Sequence, residues 1–305
     1  FDLGGHSLIA VRLFVMIKKA YRADFPISVL FEAPTIAKCA ALIAERAGIS
    51  PDASEGAEPA PKAAARRFTH LVAMHDGEGG PKTPFFLVAG MFGNVLNLRH
   101  LAHLLGADRP FYGLQARGLY GDDTPHATLA EAATDYVTEI RAVQPHGPYL
   151  LGGFSGGGIT AYEMARQLEA AGEEVALLVM LDTPLPTRPV LSRLDRALMK
   201  WQQIRARGPG YFVEWARNRA EWELGKLRAR FEEVEATPEH QFHNEAIEAA
   251  FLAALPVYDL RPWAGPLVLF RPALDKVWKV SRGRWVDSER EYVYEDNDWT
   301  RWAPA

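Results

Sequence analysis

The feature that most restricts the fold is the segment from Gly152 to Gly158, in which only Phe154 and Ser155 are not glycine. Residues 148–151 come directly before it and are typical of a strand. After it, apolar residues recur at helical spacing as far as Gly172. Glycine permits a turn that is too tight for larger side chains. The sequence therefore predicts a strand, a sharp turn and a helix that packs back against the strand.

Strands and helices alternate from residue 85 onward. Apolar runs at 85–89, 175–181 and 267–270 predict strands, and an unbroken run such as 175–181 is typical of a buried parallel strand. A capping box formed by Thr128 and Glu131 predicts the start of a helix. We therefore predict an α/β fold, with a mostly parallel sheet covered by helices on both faces.

A helical insertion is predicted at residues 184–243, between two of these strands. Its aromatic residues include Trp201, Phe212 and Trp222. Apolar stripes of this kind usually pack against other helices. We interpret the insertion as a lid and hypothesise that the aromatic side chains line a channel.

Composition and charge exclude several classes of protein. The chain has 34 Lys and Arg against 38 Asp and Glu, a net charge of −4, and so lacks the basic excess of a nucleic-acid binder. No apolar run approaches the roughly 18–20 residues that span a bilayer, and no membrane segment is expected. Cys39 is the only cysteine, which excludes an intrachain disulfide and a multi-cysteine zinc site. We expect a reducing, cytoplasmic compartment and no metal site.

Residues 49–67 separate two parts of different composition. This segment is rich in Ala, Pro, Ser and charged residues and has no periodic apolar face, so it cannot offset the entropy of ordering it. We predict a linker at 49–67 between a small helical domain at 1–48 and an α/β domain at 68–305. Since no helix precedes Phe1, we expect the first domain to be only part of its fold.

Ser155 is the candidate nucleophile. It lies at the centre of a G-x-S-x-G motif between a predicted strand and a predicted helix, which is the context of the nucleophile elbow in α/β-hydrolases. Such a turn directs the hydroxyl above the sheet and leaves the N–H of Gly156 free to bind an oxyanion. The alternative is a glycine-rich turn in which the serine only caps the helix.

Two further positions fit an acyl-transfer site. Asp182 follows the next strand and comes 27 residues after Ser155, so it should emerge at the same edge of the sheet and orient a histidine. The alternative is an aspartate that caps the turn before Pro184. The backbone N–H of Met91, on the loop after the strand at 85–89, is the candidate for the second oxyanion donor.

The histidine of a Ser-Asp-His triad is not found in a suitable place. After Asp182 the only histidines are His240 and His243, which lie in or just after the predicted insertion. A catalytic histidine should follow a late strand of the sheet. We therefore interpret both as exposed polar residues near the start of a helix.

Ser7 is the other marked residue, in the segment Asp2-Leu3-Gly4-Gly5-His6-Ser7-Leu8. It stands at the head of a predicted helix, after a flexible Gly-Gly turn, where a helix N-terminus favours an attached phosphate. A plain N-cap serine would have the same pattern.

Together the two motifs resemble a known pair of domains. The Ser7 segment resembles the phosphopantetheine attachment motif of acyl and peptidyl carrier domains. Residues 68–305 resemble the type I thioesterase domains that end nonribosomal peptide and polyketide synthases, notably in 86–95, 109–115 and 148–155. The order of carrier, linker and thioesterase is more specific than either motif alone.

The resemblance implies a function and a set of roles. Ser7 would carry 4′-phosphopantetheine, Ser155 would be the nucleophile, Asp182 would orient the base, and the amides of Met91 and Gly156 would form the oxyanion hole. It also implies that the histidine lies beyond Ala305, in a longer synthase.

The expected partners are upstream synthase modules, a phosphopantetheinyl transferase and a thioester substrate, with no nucleic acid and no membrane. The expected reaction is chain release by hydrolysis or macrocyclisation. Two alternatives remain. One is a free esterase or lipase, which leaves the carrier-like segment unexplained. The other is an acyl-binding fragment that lacks its histidine and is catalytically incomplete.

Overall fold

A computed structural model describes most of the chain. The described residues are 35–47, 68–75, 77, 82–106, 108–119, 123–208 and 245–304, with scattered positions between 13 and 33. Ser7, the predicted linker, His240, His243 and the lid aromatics Phe212 and Trp222 lie outside them. Among the described helices, none is both long and apolar enough to cross a membrane.

A six-stranded sheet forms the centre of the structure. Its strands are β1 (Leu71–His75), β2 (Phe85–Val88), β3 (Phe111–Leu114), β4 (Tyr149–Phe154), β5 (Val175–Leu181) and β6 (Leu267–Phe270). They lie in the order β1-β3-β2-β4-β5-β6, and all neighbours are parallel except β1, which runs antiparallel to β3. The predicted α/β fold with a mostly parallel sheet is confirmed.

Six α-helices are described with both of their ends. They are α1 (Ile36–Ala47), α2 (Arg99–Leu104), α3 (Leu129–Val143), α4 (Gly157–Ala170), α5 (Arg193–Arg207) and α6 (Glu245–Ala254). Helix α1 begins after Thr35, whose hydroxyl accepts the N–H of Lys38. Helix α3 begins after Thr128, whose hydroxyl accepts the N–H of Glu131, and the Glu131 carboxylate accepts the N–H of Ala127. This reciprocal arrangement is a capping box shifted by one residue.

The larger hydrophobic core joins α3 and α4 to strands of the sheet. Tyr136 and Ile140 of α3 and Met164 and Leu168 of α4 are buried in it. A second cluster contains Val72, Leu87, Phe111 and the segment around α2. Burial of this apolar surface stabilises the sheet at about 25 cal/mol for each Å² removed from water.

The strand order reverses between β2 and β4. After β2 the chain adds β3 on one side, and it then crosses to add β4 on the other side. Parallel α/β sheets bind ligands at such a reversal, outside the carboxyl ends of the strands. The segments that follow β2 and β4 meet there, and they contain Met91 and Ser155.

The described residues divide into two compact units, and the smaller one contains residues 187–208 and Pro272–Asp298. It consists of α5 and a three-stranded antiparallel sheet of β7 (Trp278–Lys279), β8 (Trp285–Val286) and β9 (Tyr292–Val293). Its apolar cluster contains Met199, Val280 and Val286. Helix α5 also belongs to the predicted lid, and its apolar side chains Leu194 and Trp201 are 61% and 57% exposed rather than packed.

A buried carboxylate holds this second unit together. Asp195 is fully buried. It accepts hydrogen bonds from four groups: the N–H of Ser281 (2.9 Å), Nη2 of Arg284 (2.7 Å), Oγ of Ser192 (2.7 Å) and the hydroxyl of Tyr292. Burial alone would raise the pKa of Asp195, but hydrogen bonds led by those of Ser281 and Tyr292 outweigh it and hold the pKa well below its usual range.

Candidate active site

Ser155 occupies a strained turn between β4 and α4. Its φ is +50°, in the left-handed region that residues with side chains rarely adopt. Its N–H donates to the carbonyl of Leu181 at 2.8 Å, which ties the turn to the end of β5. Within the described residues its hydroxyl forms no hydrogen bond, and the residue is half-buried. Strain of this kind costs on the order of 1–3 kcal/mol and is concentrated at functional sites.

Glycines flank the serine because the backbone comes too close for side chains. A Cβ at Gly157 would overlap the carbonyl oxygen of Ala89 and lie 2.6 Å from that of Val88. A Cβ at Gly153 would overlap the backbone of Gly157 and Gly158. The turn can therefore form only with glycine on both sides, which is why the motif could be recognised in the sequence.

Met91 and Gly156 lie next to each other. The position that a Cβ would take on Gly156 is 3.4 Å from Cβ of Met91. Within the described residues, neither backbone N–H has an acceptor. Gly156 is also the N-cap of α4, so its N–H carries the partial positive charge of a helix start. Two amide donors are thus available beside Ser155, as an oxyanion hole requires.

Helix α6 covers these two loops, a role that the sequence analysis missed. Cζ of Phe251 lies 2.6 Å from the Cβ position of Gly156, and Cγ2 of Ile247 lies 3.1 Å from that of Gly93. Ile247 and Ala254 are buried. Ile247, Phe251 and Ala254 are spaced at i, i+4 and i+7, so their helical spacing could have identified this face.

Asp182 stands where β5 ends. The register of β4 and β5 pairs Phe154 with Leu181, so Ser155 and Asp182 follow two paired residues. Asp182 also has a left-handed φ, +51°, and its N–H donates to the carbonyl of Phe270 at 2.6 Å. Its carboxylate is exposed and forms no hydrogen bond within the described residues. The carboxylate of Asp182 is therefore free to accept a hydrogen bond.

No described histidine forms a hydrogen bond with Asp182, and the described part of the chain contains no complete triad. The segment after Asp182 is nevertheless firmly held, because the indole N–H of Trp299 donates to the carbonyl of Thr183 at 2.9 Å. Trp299 is buried. The sequence analysis did not single it out, because a tryptophan far along the chain carries no local sign of this contact.

Each of the two units contains a cavity. One of about 50 Å³ lies under the Met91 loop and is lined by Met91, Phe251 and His126, among others. It has room for only one or two water molecules. A larger cavity of about 510 Å³ lies in the second unit, among residues that include Arg196, Met199 and Tyr292. Ser155 lines neither of them.

The thioesterase-domain family model matches residues 83–262, which is more than half of the chain. The chain belongs to the thioesterase family. The match includes Met91, the turn at Ser155 and Asp182, and the resemblance noted in the sequence is confirmed. This thioesterase domain is accompanied by a match to the phosphopantetheine attachment site at residues 1–43, so the chain also has an attachment region for that cofactor.

Relatives of this thioesterase domain are synthases. The chain is 40% identical to indigoidine synthase of Dickeya dadantii over 213 residues, which are 70% of this chain and 13% of the synthase. It is 42% identical to a dimodular nonribosomal peptide synthase of Bacillus subtilis over 182 residues, 60% of this chain and 7% of that protein. The chain thus spans only a small part of the relatives it matches.

A solved structure covers nearly the whole chain. It is the crystal structure of holo-AB3403, a four-domain nonribosomal peptide synthetase bound to AMP and glycine. The alignment covers 99% of this chain and 22% of that one, with 23% identity and a TM-score of 0.53. At this identity the similarity supports the fold.

Proposed function

We propose that this chain forms the carrier and releasing end of a nonribosomal peptide or polyketide synthase. The acyl or peptidyl chain arrives as a thioester on the 4′-phosphopantetheine of Ser7, and Ser155 takes it over and releases it. The bound cofactor supplies a flexible arm with a terminal thiol. Ser7 lies outside the described residues, and its role rests on its motif and on the family match at residues 1–43.

The observation that carries the proposal is the environment of the Ser155 hydroxyl. It has no partner among the described residues, stands at the reversal of strand order, and lies beside the free amides of Met91 and Gly156. A hydroxyl with a purely capping role would accept an N–H of the helix. Helix α4 has no side-chain cap.

The reaction follows from these positions. The oxygen of Ser155 attacks the thioester carbonyl, its proton passes to a base, the C–O bond forms, and the C–S bond breaks as the thiol leaves with that proton. The amides of Met91 and Gly156 bind the oxyanion, and each contributes on the order of 3 kcal/mol. The base is an imidazole that Asp182 orients, which we place outside the described residues.

The second step decides the product. Water attacks the ester of Ser155 and releases an acid, or an amine or hydroxyl of the chain attacks and closes a ring. In both cases the attacking group gives a proton to the imidazole, the C–O bond to Ser155 breaks, and the imidazole passes that proton to the departing serine oxygen.

The domain arrangement makes delivery intramolecular. We divide the chain into a carrier part at 1–48, a linker at 49–67 and the thioesterase at 68–305. A tether of this length raises the effective concentration of the substrate to about the millimolar range. The partners are upstream synthase modules, which load the arm, and a phosphopantetheinyl transferase, which attaches it.

Substitution of the two serines in the intact synthase tests the proposal. Ser155→Ala should reduce release by roughly 10⁶-fold while loading continues, because the nucleophile is lost. Ser7→Ala should abolish loading. Ser288→Ala is the control, since this exposed serine bonds Asp275 alone among the described residues and its substitution should leave both steps unchanged.

Two results would contradict it. Product release by Ser155→Ala at the parental rate would show that Ser155 is not the nucleophile. Undiminished product release by Ser7→Ala, together with hydrolysis of freely diffusing esters, would instead identify a stand-alone esterase.

A further inference from the structure

Three metal-binding side chains converge away from Ser155. Nε2 of His126 lies 3.0 Å from Oδ2 of Asp135, and Nε2 of His70 lies 3.9 Å from the same oxygen. One ligand atom of each residue lies within 4.8 Å of the others. The histidines come from the segment before β1 and from the loop before α3, and Asp135 belongs to α3. The cluster therefore joins three separate parts of the chain.

The His70 ring has its lone pair directed into the cluster. Its Nδ1 lies 3.1 Å from the carbonyl oxygen of Gln115. A carbonyl can only accept a hydrogen bond, so Nδ1 carries the proton and Nε2 is the unprotonated nitrogen that faces Asp135. Metal-binding histidines typically donate their second nitrogen to a backbone carbonyl in this way. The backbone N–H of His70 is also held, by Glu139 at 2.8 Å.

The local charge favours a divalent cation. Asp135, Glu131 and Glu139 surround the two rings, and Arg117 is the cation that pairs with the first two. Burial is the largest influence on both rings, and it lowers the pKa of His70 and of His126. With the two imidazoles counted as neutral, three carboxylates and one guanidinium give the cluster a net charge of −2.

Arg117 is the competitor for this position. Its Nη1 donates to Oδ2 of Asp135 at 3.2 Å. It is held independently, because Nε donates to the carbonyl of Thr124 at 2.9 Å and Nη2 donates to Glu131. Arg117 can therefore release Asp135 and keep its place.

We propose that His70, His126 and Asp135 form a binding site for a divalent transition metal ion of the zinc class. Imidazole and carboxylate suit such ions. Ligand bonds of about 2.0–2.2 Å in a tetrahedron place the ligand atoms about 3.4 Å apart. The observed 3.0 and 3.9 Å lie on either side of that spacing, and a bound ion would replace the proton through which Nε2 of His126 bonds Asp135. The fourth position is left to water.

This site departs from the expectation of no metal, which was based on cysteine content. Its ion would fasten the loop that contains His126 to α3 and to the segment before β1. Ala116, which lies between β3 and His126, supports the Met91 loop, because its N–H donates to the carbonyl of Gly93 at 2.9 Å. An ion at this site would therefore stabilise the segments that support the loop of the proposed oxyanion hole.

Metal titration of the full chain tests the proposal. After removal of metals by a chelator, zinc is titrated against a chromophoric competitor, and cobalt is added separately to read the coordination from its visible spectrum. We expect one zinc ion for each chain and a tetrahedral cobalt spectrum. Asp135→Asn and His126→Gln should each raise the dissociation constant by about 100-fold or more, since each removes a direct ligand.

The matched control is the double variant His100→Gln, His103→Gln. These two exposed histidines are one helical turn apart on α2 and are the obvious accidental metal ligands. The control should bind zinc as the parent does and show the same rise in melting temperature with zinc. Absence of binding in the parent, or binding that is lost in the control and kept in Asp135→Asn, would overturn the proposal. Metal-free melting curves of each variant establish that it is folded.

Discussion

At Ser155 the chain turns because backbone segments approach each other closely, whereas around Asp195 a buried carboxylate collects polar groups from distant parts of the chain. The first region is defined by what is missing, since Gly153 and Gly157 have no side chain to obstruct the turn. The second is defined by what is present, four donors on one carboxylate. The turn at Ser155 should be destabilised when a methyl group is added to a glycine, and the region around Asp195 should be destabilised when the charge of the carboxylate is removed.

The largest loss of stability is expected from Asp195→Ala. It removes the acceptor of the buried Tyr292 hydroxyl and the carboxylate partner of the partly buried Arg284 guanidinium. We expect a loss of about 3–4 kcal/mol in the free energy of unfolding, measured by urea denaturation. Asp275→Ala is the control in the same unit, because within the described part of the chain this exposed carboxylate accepts hydrogen bonds from Ser288 alone and should matter far less. Equal losses in the two variants would show that Asp195 is not the centre of the unit.

A somewhat smaller loss is expected from Gly157→Ala. The added methyl group meets the carbonyl oxygens of Val88 and Ala89, which are backbone atoms and cannot rotate away. We expect about 2–3 kcal/mol in the same assay. Gly172→Ala is the control, since Gly172 has a φ of +80° but open space around it, and strain alone costs about 1 kcal/mol. If Gly157→Ala were as mild as the control, close backbone approach would not define the turn.

A graded effect is expected from pH. The pKa of Asp195 is lower in the folded protein than in the unfolded chain, so its stabilisation is complete above the unfolded value of about 3.9 and is lost as the pH falls below it. Hydrogen exchange of the Ser281 amide, which donates to Asp195, reports this directly. Protection relative to amides of β5 should be constant from pH 7 to 5 and fall below pH 4. Unchanged relative protection at pH 3 would contradict the assignment.

The same contrast explains what the sequence could predict. The turn at Ser155 leaves a local signature, because close backbone approach demands glycine at fixed spacing around one serine. The unbroken apolar run at 175–181 likewise predicted the bounds of β5. In such elements the residues that determine the structure are neighbours in the chain.

The surroundings of Asp195 leave no such signature. Its partners Ser281, Arg284 and Tyr292 lie 86 to 97 residues away, and an aspartate at a helix start is ordinarily exposed. The two-residue strands β7 to β9 were also missed, because they are too short to show a period. The sequence also contained no sign that His70 and His126 lie close together, because they are far apart along the chain.

The most direct test of the account follows the acyl group from one serine to the other. A phosphopantetheinyl transferase loads the synthase from an acyl-coenzyme A, and mass spectrometry of the digested protein then locates the acyl group. The account predicts an acyl ester on the peptide that contains Ser155, formed after loading at Ser7 and absent from Ser155→Ala. Product release with the acyl group found only on the arm at Ser7, and never at Ser155, would contradict it.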